Sequence, residues 1–167
     1  MVTAPADARA VAETVTDPEL PMLTLADLGV LREVSEQDGR VTVLITPTYT
    51  GCPALDVMRA DLVRALGSAG YPEVEVRTVL RPAWTTDWIS AAGRHKLAAA
   101  GIAPPGTVPR RTTGPVPLTL VAPVRRVTCP HCGGTDTELL SEFGATACRA
   151  LYRCRACREP FEQFKEH

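Results

Sequence analysis

The chain has 167 residues, 45% of them apolar and 22% charged, with a formal net charge of −1. This fits one ordinary domain plus a small appendage, a moderate core and a soluble composition that requires no nucleic-acid partner. The charge is uneven, since residues 1–103 carry nine Lys and Arg against thirteen Asp and Glu while residues 104–167 carry nine against six, a difference that permits steering toward an acidic partner.

A first helix is expected near Asp7–Thr16, stopped by Asp17-Pro-Glu-Leu-Pro21, where the residue before a proline leaves the helical region. One helical turn at Leu25–Leu28 ends at Gly29. Val30–Ser35 then reads as a strand, turned through Gln37-Asp38-Gly39 into a partner strand with Val41, Val43 and Ile45 on one face, the period-two pattern of a half-buried hairpin. Pro53 can open a helix, and Leu55, Met58, Leu62, Ala65, Leu66 and Ala69 share one face of it before Gly70 and Pro72. Val74–Leu80 follows as a third strand. Thr86–Ala100 reads as a second amphipathic helix, with Ile89, Gly93, Leu97 and Ala100 on one side and Gly101 as cap. The fold class is α/β (α+β), a small mixed sheet covered by helices. Core packing is expected for Trp84 and Trp88, with an aromatic anchor for a partner as the alternative.

Six of the fifteen prolines fall between Ile102 and Arg126, marking residues 104–126 as an extended linker with one short edge strand at Leu118–Val121. The organisation is therefore a 1–103 α/β domain, the linker, and a 127–167 module too small to hold itself by apolar burial.

That last module carries Cys129-Pro-His-Cys132 and Cys154-Arg-Ala-Cys157, two Cys-x-x-Cys knuckles separated by twenty-one residues. Four thiolates in two tight pairs are expected to form a closed tetrahedral metal site, with a redox dithiol or unmodified thiols as the alternative, and the binding free energy of the ion then becomes folding free energy. Cys129, Cys132, Cys154 and Cys157 are the expected ligands of structural zinc, with iron as the alternative because the Cys-Pro-x-Cys-Gly knuckle also suits a rubredoxin-like centre. His131 reads as a solvated loop residue. Cys148 is placed outside the ligand shell as a small buried residue, and its chemical role is open. Six cysteines in a reducing compartment argue for ligation and against a disulfide frame. Met1–Asp7 has neither a basic leader nor an apolar run, and no segment approaches the about eighteen apolar residues of a membrane span. A cytoplasmic protein without membrane contact is expected.

In the first domain Cys52 follows a strand and a Gly51 loop and precedes the Pro53 helix. A helix start stabilises thiolate over thiol, so Cys52 is expected at the N-cap as a nucleophile or soft-metal ligand, with a plain capping or packing role as the alternative. No base adjoins it in sequence, and His95, between Arg94 and Lys96, reads as solvent-facing. The sequence holds no Glu-x-x-His pair, no dinucleotide glycine loop and no hydrolytic triad, so no catalytic activity of its own is expected.

Asp17-Pro-Glu-Leu-Pro-Met-Leu-Thr-Leu-Ala-Asp-Leu-Gly29 with Thr46-Pro-Thr-Tyr-Thr-Gly-Cys52-Pro53 resembles the MIP18 (DUF59) family. Thr86-Asp-Trp-Ile89, Gly101-Ile-Ala-Pro-Pro105 and Phe143-Gly-Ala-Thr-Ala-Cys148, running into Glu159-Pro-Phe161, resemble the PaaD family of phenylacetate degradation. The resemblance implies a MIP18-like sheet followed by a zinc ribbon. It implies an accessory role beside 1,2-phenylacetyl-CoA epoxidase, a monooxygenase, in iron–sulfur cluster assembly or delivery to its iron–sulfur reductase. It also implies that Cys52 is a transient cluster or iron ligand and that Asp17 and Glu19 shape its pocket. A nucleic-acid-binding zinc ribbon, suggested by Arg149, Arg153, Arg155 and Arg158, is the competing reading. Self-association is left open.

Overall fold

A computed structural model of the chain describes residues 7–106 and 127–166. Two compact units divide between Ala100 and Gly101.

In the first unit, Asp7 caps α1 (Ala8–Ala12) by accepting the Arg9 N–H at 3.0 Å. The helix is shorter than the expected Asp7–Thr16. Thr14 returns its hydroxyl to the Val11 carbonyl at 2.7 Å, and Thr16 is drawn into an extended bridge with Thr24, the competition that β-branched hydroxyl residues set against a helix.

Strands β1 (Leu31–Gln37) and β2 (Arg40–Ile45) form an antiparallel hairpin with Gln37 opposite Arg40. Asp38 and Gly39 both take positive φ, 51° and 79°, the geometry of a tight turn whose twist matches the strands. Val41, Val43 and Ile45 are fully buried. β2 is central, because β3 (Glu73–Thr78) pairs with it in parallel, and parallel neighbours require a crossover. That crossover is α2 (Leu55–Ser68), which buries Met58, Leu62 and Leu66.

Two further sequence expectations, for the helices after α1, differ from what is found. α2 begins two residues after Pro53, with Ala54 as N-cap. The Leu55 N–H is first taken by the Cys52 carbonyl at 3.3 Å, and the Cys52 N–H by the Tyr49 carbonyl at 3.3 Å, so a turn precedes the helix. The expected helix over 86–100 is two pieces, a 3₁₀ turn at Thr86–Trp88 and α3 at Ala91–Ala99. Ser90 breaks them, its extended backbone and its hydroxyl, which accepts the Gly93 N–H at 2.9 Å, starting a new helix. Trp84 is buried and donates its indole N–H to the Leu28 carbonyl at 2.9 Å. Trp88 is half-buried under the Arg32 guanidinium, 3.5 Å from its ring centre.

The second unit is a four-stranded sheet in the order β4-β7-β6-β5, built from β4 (Ile102–Ala103), β5 (Thr137–Ser141), β6 (Arg149–Cys154) and β7 (Pro160–Phe164). Ile102 and Ala103, which the sequence placed at the end of the first domain, pair in parallel with Glu162 and Gln163. The small core holds Ala103, Val127, Cys129, Ala150, Tyr152, Cys154 and Phe161. Tyr152 and Phe161 stand opposite in register with ring centres 5.9 Å apart. Linker residues 107–126, with the expected strand at 118–121, lie outside the described residues. No helix among the described residues is long and apolar enough to cross a membrane.

Candidate metal centre and thiol loop

The two knuckles are built on one backbone plan. The residue after the second cysteine of each takes a positive φ, Gly133 at 74° and Arg158 at 67°, which turns the chain back so that amides face sulfur. In the first knuckle the Gly133 N–H reaches the Cys129 carbonyl at 2.9 Å, the Cys129 N–H reaches the Gly134 carbonyl at 2.9 Å, and the Gly134 N–H points at Cys132 Sγ at 3.4 Å. The second begins where β6 ends, with the Cys154 N–H on the Glu159 carbonyl at 3.0 Å.

The folded ribbon brings Cys129, Cys132, Cys154 and Cys157 together, every sulfur within 4.8 Å of the others. Cys129 Sγ and Cys157 Sγ are 3.8 Å apart, and Cys132 Sγ and Cys154 Sγ 3.6 Å. A tetrahedral ion with sulfur bonds of about 2.3 Å sets its ligands about 3.8 Å from one another. A disulfide needs about 2.05 Å. The spacing therefore fits four ligands around one ion. The N–H groups of Cys157 and Ala156 aim at Cys154 and bring its thiol down to about 7. Cys157, against a lowering hydrogen bond from Glu159, is pushed up to about 12 by burial and by Cys132, Cys154 and Cys129. Four close sulfurs cannot all ionise alone, and a soft divalent cation removes that conflict.

Cys148 lies outside this cluster, buried, with its Sγ 3.0 Å from Thr146 Oγ1. His131 is exposed, its ring lying over Gly101. Of the four arginines near the second knuckle, three are engaged. Arg149 meets Glu162 at 2.6 Å, while Arg153 and Arg155 both meet Glu138, whose carboxyl they hold below its usual range. Charge committed in this way is withdrawn from a phosphate backbone, leaving Arg158 alone of the four without an ion pair among the described residues. The sequence did not reveal these pairings, because β-sheet register sets them.

In the first unit Cys52 is half-buried in the turn that precedes α2. It stands two residues ahead of the Ala54 N-cap, so the expected capping position belongs to Ala54, whose side chain caps nothing. Asp17 is buried, and its Oδ1 accepts the N–H groups of Glu19 and Leu20, both at 2.8 Å. That Asx-type turn explains why an aspartate stands before Pro18. Glu19 is half-buried, and its carboxylate makes no hydrogen bond or ion pair among the described residues. Asp27, which sequence reasoning passed over, collects donors from Thr24, Ser90 and Lys96. The Thr24-x-x-Asp27 spacing was its available signal.

Comparison with known proteins divides the chain at the same place as its chemistry. The family model described as PaaD zinc beta ribbon domain matches residues 113–165, and that described as iron–sulfur cluster assembly protein matches residues 5–80. A protein of Escherichia coli K12 named as a component of 1,2-phenylacetyl-CoA epoxidase is 42% identical over 151 residues, covering 90% of this chain and 86% of that one. A Bacillus subtilis protein named as the Fe-S protein maturation auxiliary factor YitW is 36% identical over 94 residues, covering 54% of this chain and 86% of its own. The crystal structure of a DUF59 domain from Bacillus anthracis superposes with a TM-score of 0.51 at 27% identity, covering 54% of this chain and 87% of that one.

Proposed function

The chain belongs to the PaaD family, whose Escherichia coli relative bears the name of a phenylacetyl-CoA epoxidase component, and from that premise we propose that it is a cytoplasmic accessory subunit, without catalysis of its own, that assists assembly or delivery of an iron–sulfur cluster to the epoxidase system's reductase. The observation that carries the reading is the union, on one chain, of a match to an iron–sulfur assembly family over residues 5–80 and a ribbon whose four sulfurs fit one ion.

In this reading Cys52 is the transient thiolate ligand of the cluster, which is cargo and not a resident cofactor. Its half-buried place in the turn before α2 leaves part of the residue open to solvent. Asp17 supports it by holding the 17–20 turn, and Glu19 contributes the carboxylate that has no partner of its own among the described residues. The ribbon takes zinc through Cys129, Cys132, Cys154 and Cys157. All four bind as thiolates, the knuckle amides offset their charge, and the ion closes a core too small to stand alone.

The test is Cys52→Ala in cells that make the whole epoxidase system. The variant should retain one metal per ribbon by elemental analysis, while the reductase should lose iron, acid-labile sulfide and its visible absorbance. Full cluster occupancy in the reductase beside the variant would remove the delivery role. Protein purified without oxygen should be colourless, with zinc in the ribbon; a coloured, iron-bearing ribbon would replace zinc in this assignment.

A further inference from the structure

One end of the ribbon carries a feature that ion binding does not require. β5 is one of the two outer strands of its sheet, and a bulge between Leu139 and Ser141 breaks its alternation. Leu139 and Leu140 are consecutive, yet 48% and 47% exposed, and Phe143 is 70% exposed, the most open large apolar side chain among the described residues.

Phe143 precedes a loop tied by hydrogen bonds, and its own N–H reaches Ser141 Oγ at 3.1 Å. The Gly144 N–H reaches the Arg149 carbonyl at 2.8 Å, and the Ala145 N–H reaches Glu162 Oε1 at 2.7 Å. Glu162 Oε2 accepts Arg149 Nη1 at 2.6 Å, and Arg149 Nε donates to Thr146 Oγ1 at 2.9 Å. Gly144 leaves no room for a side chain, since a Cβ there would stand 2.6 Å from Glu162 Oε1. A largely buried ion pair is a poor source of stability and a good source of fixed geometry. Beside the ring, 4.6 Å from its centre, sits Lys165 Nζ. It donates to the Ala147 carbonyl at 2.9 Å and has no ion pair among the described residues, whereas Arg149, Arg153 and Arg155 are all paired.

We propose that Phe143, with Lys165 beside its ring and the exposed Leu139 and Leu140 on the preceding strand, is a docking anchor for a partner protein that offers an apolar pocket with a carboxylate at its rim. An aromatic side chain carried on a backbone already tied by hydrogen bonds loses less entropy on insertion than one on an untied loop, and such anchors carry most of an interface's free energy. The unpaired ammonium fixes the sign of the complementary charge and steers the encounter.

The inference rests on the accessory-subunit reading for its probe, the purified reductase, titrated against the full metal-loaded chain at low and high salt. Phe143→Ser should weaken binding about tenfold or more, Phe143→Trp should restore it, and Lys165→Gln should flatten its salt dependence, with metal content unchanged. Leu80→Ser, at the 52% exposed apolar residue of the first unit, should bind like the parent. Binding by Phe143→Ser at parental strength, or an equal loss from Leu80→Ser, overturns the anchor and leaves the delivery role standing. A parent chain that does not bind the reductase overturns the client and the anchor together.

Discussion

Asp27 is the residue that ties the first unit's turns to its last helix. Its Oδ2 accepts the Thr24 N–H at 3.0 Å and Lys96 Nζ at 2.6 Å, its Oδ1 accepts the Ser90 hydroxyl at 3.3 Å, and its carbonyl takes the Ser90 N–H at 2.8 Å. Burial alone would raise its pKa, but the hydrogen bonds from Lys96 and Thr24 outweigh burial and hold the carboxyl below its ordinary value. A carboxylate depressed in the folded state stabilises the fold above its unfolded pKa, and the contribution is lost as pH falls through the folded value. Asp27→Asn should therefore lower stability by about 1 kcal/mol near neutrality, read from the urea midpoint. The gap between variant and parent should close as pH falls through the depressed folded-state value of Asp27, below the ordinary carboxylate range. A gap that persists in acid would mean that shape, and not charge, is what Asp27 supplies. Half of this residue was legible: the Thr24-x-x-Asp27 spacing announces a capping pair, while Lys96 lies 69 residues away and no local pattern points to it.

Among the elements, the hairpin and α2 follow from sequence because one interaction dominates each. Val41, Val43 and Ile45 set the buried face, Asp38-Gly39 sets the turn, and Met58, Leu62 and Leu66 set the helix stripe. The split at Ser90 escaped the periodicity because Ile89, Gly93 and Leu97 keep helical spacing across the break. The reason for Gly93 is tertiary. A Cβ there would stand 2.8 Å from the Asp27 carbonyl oxygen and 3.2 Å from Ile89 Cγ2, so α3 approaches the 24–29 turn as closely as backbone allows. Alanine in a helix interior ordinarily gains up to about 1 kcal/mol over glycine, as expected for Gly67→Ala on α2, where nothing lies within 4 Å. Gly93→Ala should reverse the sign and destabilise by about 1–3 kcal/mol, because the clash is with main chain. Chemical denaturation of the two variants side by side checks the contrast; equal gains would show that α3 moves freely from the turn.

At the scale of the whole molecule, the two units depend on different sources of order. The first buries Leu23, Leu25, Leu28, Leu62, Leu66 and Leu97 around its sheet, an apolar core sufficient for folding. Among the described residues the ribbon's core has seven members, two of them the cysteines Cys129 and Cys154, so an ion held by the four sulfurs would be part of the ribbon's interior. The knuckle spacing made the clustering of the four sulfurs readable from sequence, whereas the inclusion of Ile102 and Ala103 in the ribbon sheet was hidden by their position before the prolines. Removing the ion with a strong chelator under reducing conditions leaves coupled thiols that cannot all ionise and a core too small to compensate. The amides of β6 and β7 should then exchange with solvent within seconds to minutes, while those of Val41–Ile45 stay protected. Both tryptophans, Trp84 and Trp88, belong to the first unit, so their fluorescence should hold its maximum through chelation. A ribbon that keeps its amide protection without metal would show that Tyr152, Phe161 and their neighbours suffice, and would reduce the four sulfurs from the keystone of the fold to a bound passenger's seat.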